Sequence, residues 1–340
     1  MKGSSDRDRD DVLRRELEGV VLPRAFQLPL SPFMVCRGLD LAKCKVMGSA
    51  QKPLWLTFHN AVRAAPPHVV IFKCGDDLRQ DQLTLQIIRS MDALWTEAGL
   101  ELRMSPYGCV ATAGAQGFIE VVQQANTLAN ITKDERFRSA GAKPRTRASR
   151  KYGAAHEAYY GTGAGAALHD ALDNFARSLA GYCVATYVLG IGDRHNDNIM
   201  LTRDGRYFHI DFGHFLGNFK KKFGVKRESA PFVLTPHMET VLGGRGAGAR
   251  YRKFEELCCK AFLVLRRHRD HIMVLLMLMV DCGIPELAKI EDVTWVHGSL
   301  MFDEPDDDAA VSGVMALIDA SLNNKRTRTM HAIHSLVHTT

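Results

Sequence analysis

The sequence lacks any apolar run long enough to cross a lipid bilayer. A transmembrane helix needs about 20 predominantly apolar residues, whereas the longest apolar run here, 272–280, has nine. The first eleven residues are mostly charged, so they do not resemble the apolar core of a secretory signal. We therefore expect a soluble, cytoplasmic protein whose contact with membranes is peripheral.

Cysteine spacings typical of metal or disulfide domains are also missing. The eight cysteines are scattered, and none has the C-x-x-C spacing of a structural zinc site. Disulfide frameworks are typical of short secreted chains, and this chain has 340 residues. The cysteines therefore indicate neither a zinc domain nor a disulfide-rich one.

Charge of one sign is in only modest excess. Lys and Arg number 44 against 38 Asp and Glu, which gives a formal net charge of +6. The basic residues cluster at 133–151, 220–227 and 325–328. Such clusters are usually solvated loops, but they can also face an anionic surface.

Hydrophobic patterning divides the chain into a strand-rich part and a helix-rich part. Strands are predicted at 45–47, 54–58, 69–73, 100–104, 109–111 and 117–123, and helices at 81–95, 171–189 and 251–281. A polar turn at 203–205 separates two further short strands. These elements predict an α+β fold.

The same patterning sets the domain boundaries. We predict a strand-rich N-lobe over 21–124 and a helical C-lobe over 125–340. Residues 1–20 are polar and are predicted to be disordered. Residues 132–166 are rich in Gly, Ala, Arg and Ser, which predicts a loop or insertion.

The most informative residues lie at 192–213. Asp193 and Asn198 have the spacing of the Asp and Asn in the H-R-D-x-x-x-x-N loop of protein kinases, although this chain reads D-R-H. Asp211 begins a D-F-G triplet beyond the predicted hairpin. In phosphoryl transfer such residues hold metal ions and orient the acceptor hydroxyl. The arrangement predicts an ATP- and magnesium-dependent kinase with a protein-kinase-like, two-lobed fold.

A kinase also needs a cation for the nucleotide phosphates. Lys73 ends an apolar strand, where an unpaired charge is costly, and acidic residues follow it closely. No G-x-G-x-x-G loop precedes Lys73; a hairpin at 48–52 with a single glycine stands in that place. A surface lysine is the alternative interpretation.

Several long motifs resemble those of phosphoinositide 3-kinases. They are KCGDDLRQD at 73–81, GIGDRHNDNIM at 190–200 and FHIDFGHFLG at 208–217, together with shorter matches at 44–47, 53–55 and 106–109. The resemblance covers residues 30–290. Because related lipid kinases and large protein kinases of the superfamily share shorter versions, the subclass needs a separate argument.

The resemblance implies a role for each matching residue. Ser49 and Lys52 would lie over the ATP phosphates and Lys73 would bind them. The ATP pocket would also contain Asp76, Asp81, Tyr107, the hinge residues Glu120 and Val122, and the floor residues Met200 and Ile210. Asn198 and Asp211 would hold magnesium. His195 would be the base toward the inositol 3-hydroxyl with Asp193 supporting the loop, but Asp193 occupies the protein-kinase base position, so both assignments stay open.

The segment after D-F-G, 211–236, is predicted to be the activation segment. Its cations are Lys220, Lys221, Lys222, Lys226 and Arg227, called the basic segment below. They resemble two basic boxes of class I phosphoinositide 3-kinases that contact phosphatidylinositol 4,5-bisphosphate, and several headgroup phosphates need several cations. The alternatives are a class III-like phosphatidylinositol 3-kinase, a serine/threonine protein kinase of the superfamily and an inactive lipid-binding module.

The implied partners are a phosphoinositide at a membrane surface, with no nucleic acid. A chain of 340 residues has no room for the adaptor-binding, Ras-binding, β-sandwich and helical domains of class I enzymes. It is therefore expected to be either a fragment or a minimal kinase. The sequence does not identify a regulatory subunit.

Overall fold

In a computed structural model, the chain is described over 6–49, 51–112, 115–133, 165–219, 221–222, 225–226, 230–246 and 248–324. It divides into two compact units, of which the first is Met1–Gln86 with Tyr107–Val122 and the second is Ile87–Pro106 with Gln123–Thr340. The later division lies two residues before the predicted boundary at 124. Residues 87–106, however, belong to the second unit rather than to the strand-rich part.

The first unit is built on an antiparallel sheet. Its strands are β1 (Phe26–Gln27), β2 (Val35–Leu39), β3 (Lys45–Val46), β4 (Leu54–Asn60), β5 (His68–Cys74), β6 (Cys109–Thr112) and β7 (Gln116–Glu120). They lie in the order β1-β2-β4-β5-β7-β6, with β3 pairing β4. The predicted hairpin of β3 and β4 is confirmed, with Lys45 opposite Trp55.

The core of this unit lies on one face of the sheet. β4 and β5 supply buried Leu56, Phe58 and Val70, which pack with Cys36 and Cys44. Because β4 and β5 pair over five residue positions, this packing fixes the register of β5 and therefore the place of its last residues.

The N-terminus corrects the sequence prediction. Residues 1–20 are predicted to be disordered, but Asp6–Glu18 form helix α1. Leu13 and Leu17 pack against the core of the sheet, and the Asp10 carboxylate accepts a hydrogen bond from Val46 N at 2.8 Å. The many Asp and Arg residues make this segment look disordered, but its few apolar residues form a helix face that tertiary packing against the sheet stabilises.

Helix α2 (Arg79–Glu97) follows β5 and confirms the predicted helix at 81–95. Leu85, Ile88 and Met91 are buried at helical spacing. The division between the units falls within this helix, after Gln86.

The second unit is mainly helical. Its other helices are α3 (Leu128–Lys133), α4 (Gly165–Val188), α5 (Pro236–Val241), α6 (Ala249–Arg267), α7 (Arg269–Met277), α8 (Thr294–Ser299) and α9 (Asp307–Asn323). The predicted helices at 171–189 and 251–281 are thus confirmed, the second as two helices. Trp95 is fully buried here and its indole N–H donates to Ala261 O at 2.9 Å.

A small antiparallel sheet also belongs to the second unit. Its strands are β8 (Ala125–Thr127), β9 (Ile199–Thr202) and β10 (Tyr207–His209), in the order β10-β9-β8. β9 and β10 form the predicted hairpin, whose turn is closed by Thr202 N donating to Arg206 O at 2.9 Å and by Gly205 at φ 89°. The hairpin joins the two motifs that carry the candidate chemistry.

The strand predicted at 100–104 does not form. Leu102 and Met104 are buried and alternate with exposed Glu101 and Arg103, as the pattern indicates. Arg103 nevertheless has a φ of 53°, which interrupts an extended chain, and these side chains pack beside Gly181 of helix α4. Within the described ranges, no helix is long and apolar enough to span a membrane.

Candidate active site

The loop before β9 presents the D-R-H residues in a fixed conformation. A 3-10 turn at Asn196–Asn198 is capped by His195, whose Nδ1 accepts from Asp197 N at 3.3 Å. The side-chain Nδ2 of Asn198 donates to Asp193 O at 2.9 Å, which leaves its side-chain oxygen, Oδ1, to serve as a metal ligand. Asp193 has a φ of 58°, a conformation that Asp and Asn tolerate better than most residues.

Asp211 follows β10 and lies on the chain segment beside this loop. Ile210 N donates to Asn198 O at 3.1 Å, so the backbones of the D-R-H loop and the D-F-G segment are adjacent. Asp211 is exposed and has a φ of 61°. Its Oδ1 lies 3.4 Å from Gly213 N, so the carboxylate remains open to further partners.

Arg194 cross-links the two motifs. Its Nε donates to Gly192 O at 2.7 Å, Nη1 donates to Ile210 O at 2.7 Å, and Nη2 donates to Asp211 O. The residue is only 7% exposed, and its guanidinium lies 5.8 Å from the Phe212 ring centroid. A planar guanidinium can bond several carbonyls at once, so Arg194 fixes the main chain that carries Asp211.

Sequence reasoning assigned Arg194 no role. The residue is visible in the motif, but its carbonyl partners at 210 and 211 become apparent only when the β9–β10 hairpin is folded. An arginine between two candidate catalytic side chains was the available signal.

A buried polar pair supports the same hairpin. His209 is almost fully buried and its Nε2 lies 3.1 Å from the Tyr207 hydroxyl. Burial lowers the pKa of His209 well below its usual value, and the positive charge of Arg194 lowers it further. His209 is therefore uncharged at neutral pH. Its role is to support the hairpin next to Asp211 rather than to take part in the chemistry.

The bonding of His195 bears on which residue is the base. A neutral imidazole whose Nδ1 accepts a hydrogen bond carries its proton on Nε2, and Nδ1 here accepts from Asp197 N. In this geometry Nε2 is a donor, so accepting a proton requires Nδ1 to leave Asp197. The side chain of His195 is 24% exposed, which leaves the ring accessible.

In the first unit, Lys73 near the end of β5 is held by a carboxylate. Its Nζ lies 2.9 Å from Asp76 Oδ2, and the side chains are 25% and 36% exposed. Gly75 N and Asp76 N both donate to Ala115 O, at 2.8 and 3.0 Å, which fixes the turn that bears Asp76. Asp77 instead pairs with Arg79, whose hydrogen bonds lower the pKa of that carboxyl.

Other residues predicted to bind ATP belong to the same unit. Ser49 and Lys52 lie at the exposed tip of the β3–β4 hairpin, where Lys52 N donates to Ser49 O at 3.1 Å. Glu120 ends β7; its Oε2 accepts from Gly108 N at 2.7 Å and its N donates to Gly108 O at 2.7 Å. The Glu120 side chain is thus engaged within the unit.

The remaining pocket residues divide between the units. Asp81 on α2, buried Tyr107 and half-buried Val122 belong to the first unit. Met200 on β9 and Ile210 after β10 belong to the second, and both are half-buried. Each unit therefore contains one coherent part of the predicted residue set.

The basic segment is described only in part. Strands β11 (Lys221–Lys222) and β12 (Val225–Lys226) pair antiparallel. Lys220 and Arg227 lie outside the described residues. The described backbone is an antiparallel pair of short strands, and the headgroup contacts stay a prediction.

Comparison with known proteins agrees with the motifs. A family model described as phosphatidylinositol 3- and 4-kinase matches residues 68–289. The chain is 45% identical over 99% of its length to phosphatidylinositol 3-kinase 1 of Dictyostelium discoideum, covering 21% of that protein. It is 40% identical over 99% of its length to the phosphatidylinositol 3-kinase C2 domain-containing subunit gamma of Mus musculus, covering 22% of it. The chain thus spans about a fifth of the length of these relatives.

Proposed function

Because this chain belongs to the phosphatidylinositol 3- and 4-kinase family, we propose that it transfers the γ-phosphoryl group of ATP to the 3-hydroxyl of an inositol lipid. The observation that carries the proposal is the Arg194 cross-link, which holds the D-R-H loop and the D-F-G segment side by side. Phosphoryl transfer depends mainly on positioning and electrostatic stabilisation. A rigid pair of loops bearing Asn198 and Asp211 supplies positioning.

Lys73 is the proposed phosphate-binding cation. Its partner Asp76 lies 2.9 Å away and holds the ammonium at the end of β5. ATP phosphates would take over part of that pairing, since lysine has three donors. The glycine-poor hairpin with Ser49 and Lys52 would add two further donors over the phosphates, while Glu120 and Val122 would bind adenine through backbone groups.

Asn198 and Asp211 fit a magnesium site completed by substrate. Mg²⁺ in nucleotide sites takes one or two protein oxygens and fills its shell with phosphate oxygens and water. Asn198 has its amide oxygen available and Asp211 is exposed. Among the described residues no group of three or more His, Cys, Asp or Glu could hold a metal alone. Bound magnesium would neutralise charge on the phosphates.

The acceptor hydroxyl would lose its proton to His195 or Asp193. An imidazole can act as a general base, but the Nδ1 of His195 already accepts a hydrogen bond from Asp197 N. Asp193 occupies the base position of protein kinases and lies on the same loop. A comparison of Asp193→Asn with His195→Asn separates the two, since only loss of the base removes the acidic limb of the pH–rate profile.

The basic segment makes a phosphoinositide with several phosphates the preferred acceptor. Each headgroup phosphate can accept charge-assisted hydrogen bonds from lysine or arginine. A class III-like enzyme acting on plain phosphatidylinositol, or a protein kinase acting on a peptide hydroxyl, needs no such cluster. An inactive module would not need Lys73, Asn198 and Asp211 together. We place the protein in the cytoplasm, recruited peripherally to membranes by the lipid and signalling through the phosphorylated product.

The test is ATP-dependent turnover by the purified chain on vesicles of phosphatidylinositol or phosphatidylinositol 4,5-bisphosphate, against a panel of peptides. We expect lipid turnover that Asp211→Asn removes. Asparagine accommodates the φ of 61° at this position, so the variant should keep its fold. Asp270→Asn, whose side chain is 90% exposed, is the matched control and should keep full activity. Turnover on peptides alone would exclude the lipid kinase.

A further inference from the structure

The chain immediately after D-F-G is fixed to a distant loop by one carboxylate. Glu286 Oε1 lies 2.8 Å from His214 Nδ1, and Glu286 Oε2 accepts from Phe215 N at 2.6 Å. The Glu286 side chain is only 17% exposed and that of His214 28%. A partly buried carboxylate that bonds two successive residues restrains both their backbone and the ring orientation of the histidine.

The loop that carries Glu286 is itself rigidly held. Its neighbours Ile284 and Leu287 are buried, and Leu287 N donates to Ile284 O at 3.0 Å. The Asn218 side chain reaches back to Glu286 O at 3.5 Å and to Phe215 O at 3.1 Å. Glu286 is therefore a fixed point rather than a flexible surface carboxylate.

His214 transmits this restraint to the candidate site. His214 O accepts a hydrogen bond at 2.9 Å from the backbone N of Gly192, the residue before Asp193. Phe212 is fully buried, so the short segment from Asp211 to Phe215 has little freedom. Arg194 therefore holds the carbonyl of Asp211, and Glu286 holds the residues that follow Asp211 in the chain.

We propose that Glu286 is a positioning residue for the metal-binding Asp211. The inference rests on the proposed phosphoryl-transfer function and adds a residue outside its motifs. Without the carboxylate, His214 and Phe215 lose two bonds at one end of the D-F-G segment, and the Asp211 carboxylate samples more orientations. Magnesium-supported nucleotide binding then weakens, whereas lipid recognition is unaffected.

Glu286→Ala and Glu286→Gln test this, with Glu291→Gln as matched control because Glu291 is an exposed carboxylate of the same region. For Glu286→Ala we expect lipid turnover at saturating substrate to fall at least tenfold and half-maximal magnesium to rise at least threefold, with an unchanged KM for lipid. The glutamine keeps an acceptor for Phe215 N but cannot serve both partners unchanged, so its effect should be intermediate. Glu291→Gln should match the wild-type protein.

Two readouts separate this inference from the proposed function. Hydrogen exchange of the Phe215 amide should accelerate in both Glu286 variants, and magnesium-dependent binding of a fluorescent ATP analogue should weaken while magnesium-free binding stays the same. If Glu286→Ala fails to fold, Glu286→Gln carries the test. Wild-type turnover with normal magnesium dependence in both variants would overturn the inference and leave the proposed function intact. Absence of wild-type turnover would instead refute the proposed function, and analogue binding would still decide on Glu286.

Discussion

Replacing Arg194 with lysine should destabilise the second unit although the charge is kept. Arg194 donates to three carbonyls, those of Gly192, Ile210 and Asp211. A lysine has a single, compact ammonium group, so its N–H donors cannot reach three carbonyl oxygens that lie in different directions. We therefore expect at most one of the three bonds to survive.

The magnitude follows from the number of bonds lost. Hydrogen bonds to a charged group contribute about 1.5–3 kcal/mol each, so losing two predicts about 3–6 kcal/mol. Because Arg194 is only 7% exposed, little water reaches the carbonyls that lose their donor, so we expect at least the lower end of this range. A loss of about 3 kcal/mol is a large part of a typical stability of about 5–15 kcal/mol.

The assay is urea unfolding followed by tryptophan fluorescence, since Trp95 and Trp295 belong to the second unit. Arg206→Lys is the matched control: Arg206 forms one ion pair, 3.0 Å from Asp204, and its side chain is 38% exposed. Such surface pairs contribute about 0–1 kcal/mol, so this variant should unfold like the wild-type protein. Equal unfolding free energies for Arg194→Lys and the wild-type protein would refute the proposed cross-link.

Three further predictions concern packing, pH and substrate choice. Gly217→Ala should cost about 2 kcal/mol or more, because Gly217 has a φ of 77° and a Cβ there would lie 2.2 Å from a ring atom of Trp295; Gly298→Ala, which meets nothing within 4 Å, is the control in thermal unfolding. Below about pH 6.5 His209 is protonated in the unfolded chain but stays neutral in the folded one, so the free energy of unfolding should decrease as the pH is lowered. His209→Leu should reduce this pH dependence by up to about 1.4 kcal/mol per pH unit; an unchanged slope would contradict the assignment. Alanine at all five positions of the basic segment should lower the ratio of turnover on the bisphosphate to that on plain phosphatidylinositol by about 100-fold, if two bonds of about 1.5 kcal/mol are lost; an unchanged ratio in vesicles of matched surface charge would remove the class I assignment.

Local patterns predicted much of the fold because they arise from burial within single elements. The helix at 81–95 and the strands around Val70 follow hydrophobic periodicity that packing then satisfies. The strand expected at 100–104 shows the limit of that reasoning. Its alternation is real, but a strand needs a partner strand and an extended φ. Arg103 has a φ of 53°, and among the described residues no strand includes 100–104.

The candidate site was predicted as far as its motifs reach. Asn198 and Asp211 are five and eighteen residues from Asp193 in sequence, and the β9–β10 hairpin brings their backbones together. Glu286 was not found, because it lies 72 residues from His214 and its loop has no kinase motif recognisable from spacing. Helix α1 was missed because its apolar residues gain stability only against a sheet formed later in the chain.

The position of the transferred phosphate tests the central claim most directly. The purified chain is incubated with γ-labelled ATP, magnesium and phosphoinositide vesicles, and the labelled lipid is deacylated to identify the ring position that carries the label. We predict label on the 3-hydroxyl with the wild-type protein and with Asp270→Asn, and none with Asp211→Asn. Label at another ring position, on protein alone, or equally with Asp211→Asn would contradict the account.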